Sequence, residues 1–256
     1  MSVRTTKPSP LVYARVAAIL FIIMAIAAEF STGVLGLDVV EPGDATTTAN
    51  NLIDAKSEFR VGIIGHLVVL FMDIGVAVLL YELLRPVSKT LSLVAAAFRL
   101  IMVAMRGINL LTHFVALTLV SGADYLTAFE TDQLDGLVLL SLTAFEDGIL
   151  IDFIFFSVHL LFLGYLVFKS GYLPRFIGIW LMIACLGYLI NSFTRLGFFL
   201  SDEEEMVTLL IFLPSSLSEF ALFLWLLIKG VNVEQWEKQM RESGYHSSQL
   251  SHKLVQ

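Results

Sequence analysis

Ten polar side chains sit inside apolar runs of this chain and are its candidates for chemistry: His66, Asp73, Arg106, Asn109, His113, Asp152, His159, Asn191, Arg195 and Glu219. Their spacing is regular. His66 and Asp73, Arg106 and His113, and Asp152 and His159 are each seven apart, almost two helical turns, so each pair shares one helix face. Asn191 and Arg195, four apart, do the same. Ionisable groups at such positions point to a ligand, ion or proton pathway. Histidines facing each other suit a second chemistry, a metal ion or haem held by His66 and His113, with His159 or Asp152 as a further ligand. A hydrolytic metal site needs three protein ligands and an open water position, and no HExxH-like motif supplies them. The plainer alternatives are ion pairs that hold helices in register and histidines bonded to backbone, serine or water.

The elements that position these residues follow from composition. Over 256 residues the chain is 57% hydrophobic and 15% charged, with a mean hydropathy of +0.82. That is too apolar for a soluble domain of this length, so the lipid bilayer is its first partner. The one cysteine, Cys185, excludes an intramolecular disulfide and thiolate metal clusters. The net charge of -7 is segregated along the chain and gives no footprint for nucleic acid.

Six spans are predicted, making an all-α polytopic membrane protein: residues 11–30, 59–84, 91–122, 149–168, 176–199 and 207–228. Cleavage of the first as a signal peptide is the lesser reading, since Glu29 follows its small residues. A polar loop with an amphipathic stretch over 45–57 precedes the second span. Residues 136–145, apolar but too short to cross, read as an interfacial or re-entrant helix that Glu146-Asp147-Gly148 ends. Pro214 is expected to kink the sixth span. Residues 1–231 form one transmembrane domain, and 232–256 a cytoplasmic polar tail with a short helix over 233–241.

Lysine and arginine set the orientation. Arg4, Lys7, Arg15, Arg85, Lys89, Lys169, Arg175, Lys229 and the tail cations fall on one side, and only Lys56 and Arg60 on the other. The positive-inside rule then places both termini in the cytoplasm and the acidic loops outside. In a hairpin about the Pro86–Thr90 turn, equidistant residues face each other, setting Asp73 against Arg106 and His66 against His113. An Arg195 pair with Glu146, Asp147 or Asp152 is expected near the outer ends. Arg99, nearer the inner surface, has no assigned partner and is read as snorkelling.

Several short segments recur together: GDA (Gly43–Ala45), FRVGI (Phe59–Ile63), LLYELLRPV (Leu79–Val87), GINLL (Gly107–Leu111), DQL (Asp132–Leu134), SGYLPR (Ser170–Arg175) and EFALFLWLLIKGV (Glu219–Val231). With them the chain resembles, over residues 11–231, the bacterial membrane family catalogued as domain of unknown function four-three-eight-six. The resemblance implies a six-helix inner-membrane protein and carries over no catalytic or ligand residue.

On this map the polar residues gather in the outer half and middle of the membrane. The expectation is an outward-facing cavity that binds or transports a small polar or amphiphilic, lipid-like molecule, with Asp73, Arg106 and Glu219 as its charged floor. That reading requires no cofactor and no enzymatic activity. Its alternatives are the metalloenzyme or haem protein and a structural or accessory subunit.

Overall fold

The computed structural model describes residues 9–36, 39–197 and 213–253. Arg4, Lys7, Asp38, the acidic run over 201–205 and the predicted start of the sixth span at 207–212 lie outside the described residues; Pro214 is the second residue of the described helix Leu213–Ile228, and the segment it is expected to kink against lies outside them. Among the described residues the chain is helical, without strands. The helices are α1 (Pro10–Gly36), α2 (Ala45–Asp54), α3 (Lys56–Leu84), α4 (Lys89–Asn109), α5 (Leu111–Leu119), α6 (Thr131–Ser170), α7 (Arg175–Arg195), α8 (Leu213–Ile228) and α9 (Val233–Lys253), with one 3₁₀ turn at Asp124–Ala128.

Five segments are long and apolar enough to cross a membrane: Pro10–Gly33, Lys56–Leu84, Lys89–Leu119, Thr131–Ser170 and Arg175–Arg195. The pair Leu213–Ile228 and Val233–Ser243, bent by 103°, is the sixth candidate. Large apolar side chains such as Phe71, Ile108 and Ile183 stay exposed on these helices. Lipid accepts such a surface, and water does not.

The segment 136–145 is not a separate interfacial helix. It is the front part of α6, which runs unbroken for 40 residues. Nothing in Glu146-Asp147-Gly148 removes a backbone donor, and one glycine costs a helix only about 1 kcal/mol. At 1.5 Å per residue, α6 is about twice as long as the hydrocarbon core is thick. The predicted third span, conversely, is interrupted at Leu110. There the Thr112 hydroxyl donates to the Asn109 carbonyl at 2.9 Å, and the His113 N–H turns to the Leu110 carbonyl at 3.2 Å. One turn is thereby tightened to a three-residue repeat. The tail helix is also longer than expected, running to Lys253.

The chain forms two compact units, and α1, α3, α4 and α6 contribute residues to both. The first takes residues 1–21, 74–101 and 154–256; the second takes 22–73 and 102–153. In the first unit, Leu160, Leu163, Leu181, Leu222 and Phe223 are buried core. Gly164 and Gly178 let the backbones of α6 and α7 nearly touch: a Cβ on Gly178 would meet the Phe168 backbone and the Gly164 carbonyl. The Leu83 carbonyl, left without a helical donor because the Val87 N–H bonds Leu84, accepts from Tyr172 Oη and Trp236 Nε1, both at 2.8 Å. Burial pushes the Tyr172 hydroxyl well above the usual phenol range, so it remains a donor. Gln239 Nε2 adds a bond to the Ser170 carbonyl at 2.7 Å, tying α9 to the α6–α7 turn.

In the second unit, Leu52, Phe59, Leu110, Val138 and Leu142 share a core. The amphipathic α2 starts where the sequence places it. Asp44 caps it, accepting from the Thr47 N–H at 2.9 Å and the Thr47 hydroxyl at 2.7 Å. These bonds, the N–H first, hold the Asp44 carboxyl below the usual carboxylate range.

Candidate functional site

The second unit encloses a cavity of about 550 Å³, lined by His66 and His113 together with Thr32, Leu142, Phe145 and Glu146. Its aromatic wall is built across three helices. The His113 ring stacks on Phe145 with centroids 3.9 Å apart, and Phe59 meets His113 edge-on at 5.1 Å. His66 stands 6.4 Å from His113 with the rings almost perpendicular. The hairpin register therefore brought these two histidines to one place.

Asn109, the last residue of α4, ties that end of the helix to α6. Its Nδ2 donates to the Phe145 carbonyl at 2.7 Å. A Cβ at position 148 would collide with the Asn109 amide, so the glycine there leaves the amide room to keep this bond. His113 is 4% exposed, yet its Nδ1 and that of His66 have no hydrogen-bond partner among the described residues. The Gly62 carbonyl lies near the His66 ring, but not in bonding geometry. Buried polar atoms are nearly always paired, so these two nitrogens are the chemically open part of the cavity wall.

Two charges of this unit inside the membrane spans are paired with each other. Arg106 grips Asp152 with both prongs, Nε to Oδ2 at 2.8 Å and Nη2 to Oδ1 at 2.7 Å, and its guanidinium lies 5.4 Å over the Phe153 ring. Asp152 is fully buried, so this bidentate pair neutralises a carboxylate that could not stand alone in lipid. Asp73 is buried within electrostatic reach of Asp152.

The first unit holds a second polar group, which sequence reasoning left open. Arg99 does not snorkel; it is 1% exposed. Its Nη1 donates to Glu219 Oε1 at 2.8 Å and reaches His159 Nε2 at 3.1 Å. An arginine only donates, so Nε2 is the acceptor. The ring proton is then on Nδ1, which donates to the Ala95 carbonyl at 2.8 Å. His159 is thus a neutral imidazole of fixed tautomer. Glu219 belongs to this group and not to the cavity wall. Asn191 is buried in α7, and Arg195, its last residue, is exposed. Asp152, one of the acids considered for Arg195, is committed to Arg106. In α8, Ser216 and Ser218 donate to the carbonyls three residues back, and Trp180 Nε1 donates to the Pro214 carbonyl at 3.0 Å. Among the described residues no three His, Cys, Asp or Glu side chains are grouped to hold a metal.

Long apolar helices with arginines and acids paired inside them define an integral, polytopic α-helical membrane protein. The particular family follows from the sequence: the chain belongs to the one described as Domain of unknown function (DUF4386), which matches residues 16–230. A protein of Archaeoglobus fulgidus, described as uncharacterized, is 33% identical over 168 residues, covering 66% of this chain and 83% of that protein. No solved structure matches.

Proposed function

We propose that this membrane protein binds, and passes on or takes up, a small amphiphilic molecule in the His66–His113 cavity. The observation that carries the reading is the buried His113 Nδ1, without a partner among the described residues, beside a space of about 550 Å³. That volume suits a small ligand, and a mostly apolar wall with a few placed polar atoms is the usual form of such a site. Leu142 and Phe145 would take the ligand's apolar body, an imidazole its hydrogen-bonding group. Thr32 and Glu146 stand where a polar end reaches the solvent. The expected charged floor is replaced in this reading by the two imidazoles, with Arg106 and Asp152 fixing the helices around them.

The excess of lysine and arginine at the Arg85–Lys89 and Lys169–Arg175 turns supports a cytoplasmic location for those turns and for both termini, in a bacterial inner membrane. The cavity, bordered by Val40 and Gly43 of the opposite connection, then faces outward.

The test is mass spectrometry of small molecules extracted from the purified protein, wild type beside His113→Phe. A compound retained by the wild type and depleted about tenfold in the variant is expected, the effect of one lost hydrogen bond. Identical extracts would remove the proposal, and stoichiometric metal or haem in the same sample would assign the histidine pair to that chemistry.

A further inference from the structure

Lys56 and Arg60, at the start of α3, break the charge segregation, standing on the side whose loops are mostly acidic. Lys56 has a structural use. Its Nζ donates at 2.6 Å to the carbonyl of Val120, the residue that ends α5, where a cation satisfies an orphan acceptor and complements the helix dipole. Arg60, one turn further along α3, is exposed, and among the described residues no hydrogen bond or ion pair engages it.

Arg60 stands at the head of a groove of about 460 Å³ between α3 and α5, walled by Ile64, Leu67, Phe114 and Leu117. The two helices run antiparallel, since Lys56 meets Val120 and His66 meets His113. Arg60 and Ser121 therefore share the polar end, and Leu67 and Phe114 the apolar end, about 10 Å away along α3. Among the described residues no acid lines the groove. The Ser121 oxygen accepts from the Ala123 N–H at 3.3 Å, which leaves its hydroxyl hydrogen to donate.

We infer that this groove is a binding site for an anionic phospholipid, whose phosphate is held by Arg60 and Ser121 and whose acyl chain lies on Ile64, Leu67 and Phe114. Bulk lipid covers any apolar helix face; the site is distinguished by a cation placed at headgroup level with its five donors unclaimed. A guanidinium pairs with a phosphate through two parallel hydrogen bonds, and lysine cannot copy that geometry. The groove shares no lining residue with the His66–His113 cavity, so the two readings stand or fall separately.

Native mass spectrometry of the full-length protein, loaded with equimolar phosphatidylglycerol and phosphatidylcholine, tests the site. The wild type is expected to retain one phosphatidylglycerol with a preference of about fivefold, the effect of one cation beside an anionic headgroup. Arg60→Gln, an exposed substitution, abolishes the preference at unchanged thermal stability, and Arg60→Lys keeps part of it. Equal retention of both lipids by the wild type, or an undiminished preference in Arg60→Gln, overturns the inference.

Discussion

Arg99 of α4 and Glu219 of α8 meet at 2.8 Å although 120 positions separate them, and both side chains are buried. Each makes the other tolerable in lipid. His159 completes the arrangement as a neutral acceptor, and Phe156 offers a ring face 5.6 Å from the guanidinium. Helix α8 is thus fixed to α4 by charge as well as by apolar packing.

Removing one partner should cost much more than removing both. Arg99→Met or Glu219→Leu alone leaves an unpaired buried charge and is expected to destabilise the protein by about 3–5 kcal/mol. The double substitution leaves none and should recover most of that loss. Thermal unfolding of the four proteins in one detergent checks it; additive losses would show that the pair is not the coupled unit.

The legible and illegible parts of this site divide on a physical line. Periodicity reports which residues share a face of one helix, and a short turn reports which residues of two neighbouring helices lie level. Together they placed His66 beside His113. Neither reports which helices meet after a long connection. Arg106 closes on Asp152 of α6, an acid weighed in the sequence as an ion-pair partner for Arg195 and as a ligand residue, and Arg99 was left without a partner because its carboxylate lies in a distant helix. The misreading of residues 136–145 had another cause. Ten apolar residues are too few to cross a bilayer, but a span's length does not bound its helix, which can continue beyond the hydrocarbon. Asn109 was recognised as polar; its role as the wedge opposite Gly148 needed the tertiary contact.

The cap of α2 should be sensitive to acid. Thr47 donors favour the charged form of Asp44 and depress its folded-state pKa. The contribution is complete above the ordinary aspartate range, present at neutral pH, and lost as pH falls through the lowered folded value. Asparagine caps almost as well without titrating. Asp44→Asn should therefore keep the protection of α2 amides against hydrogen exchange and remove its acid dependence. Asp44→Ala should lose that protection at every pH.

The α6–α7 crossing predicts a steep size dependence at position 178. A Cβ on Gly178 would meet main-chain atoms of Phe168 and Gly164, which cannot swing aside as a side chain can. Gly178→Ala should destabilise by about 1–3 kcal/mol, and Gly178→Leu by more. The control is Gly136→Ala, where a Cβ meets nothing within 4 Å and relief of the glycine's helix penalty should be neutral or mildly stabilising. Equal melting temperatures for the two alanine variants would contradict the close approach.

The Leu83 carbonyl gives the last test, because two donors from different elements converge on it. Tyr172 comes from the α6–α7 turn and Trp236 from α9. Tyr172→Phe or Trp236→Phe leaves the carbonyl one side-chain donor and should cost about 1 kcal/mol, the usual net value of a hydrogen bond. The double variant removes both donors from a carbonyl whose helical partner has already turned to Leu84. Desolvation of an unsatisfied acceptor then adds to the two lost bonds, so its loss should exceed the sum of the singles by about 1 kcal/mol or more. A double-mutant cycle measured by thermal unfolding reads this coupling. Strict additivity would mean that solvent reaches the carbonyl once either ring is changed, and α9 would then be docked mainly through Gln239.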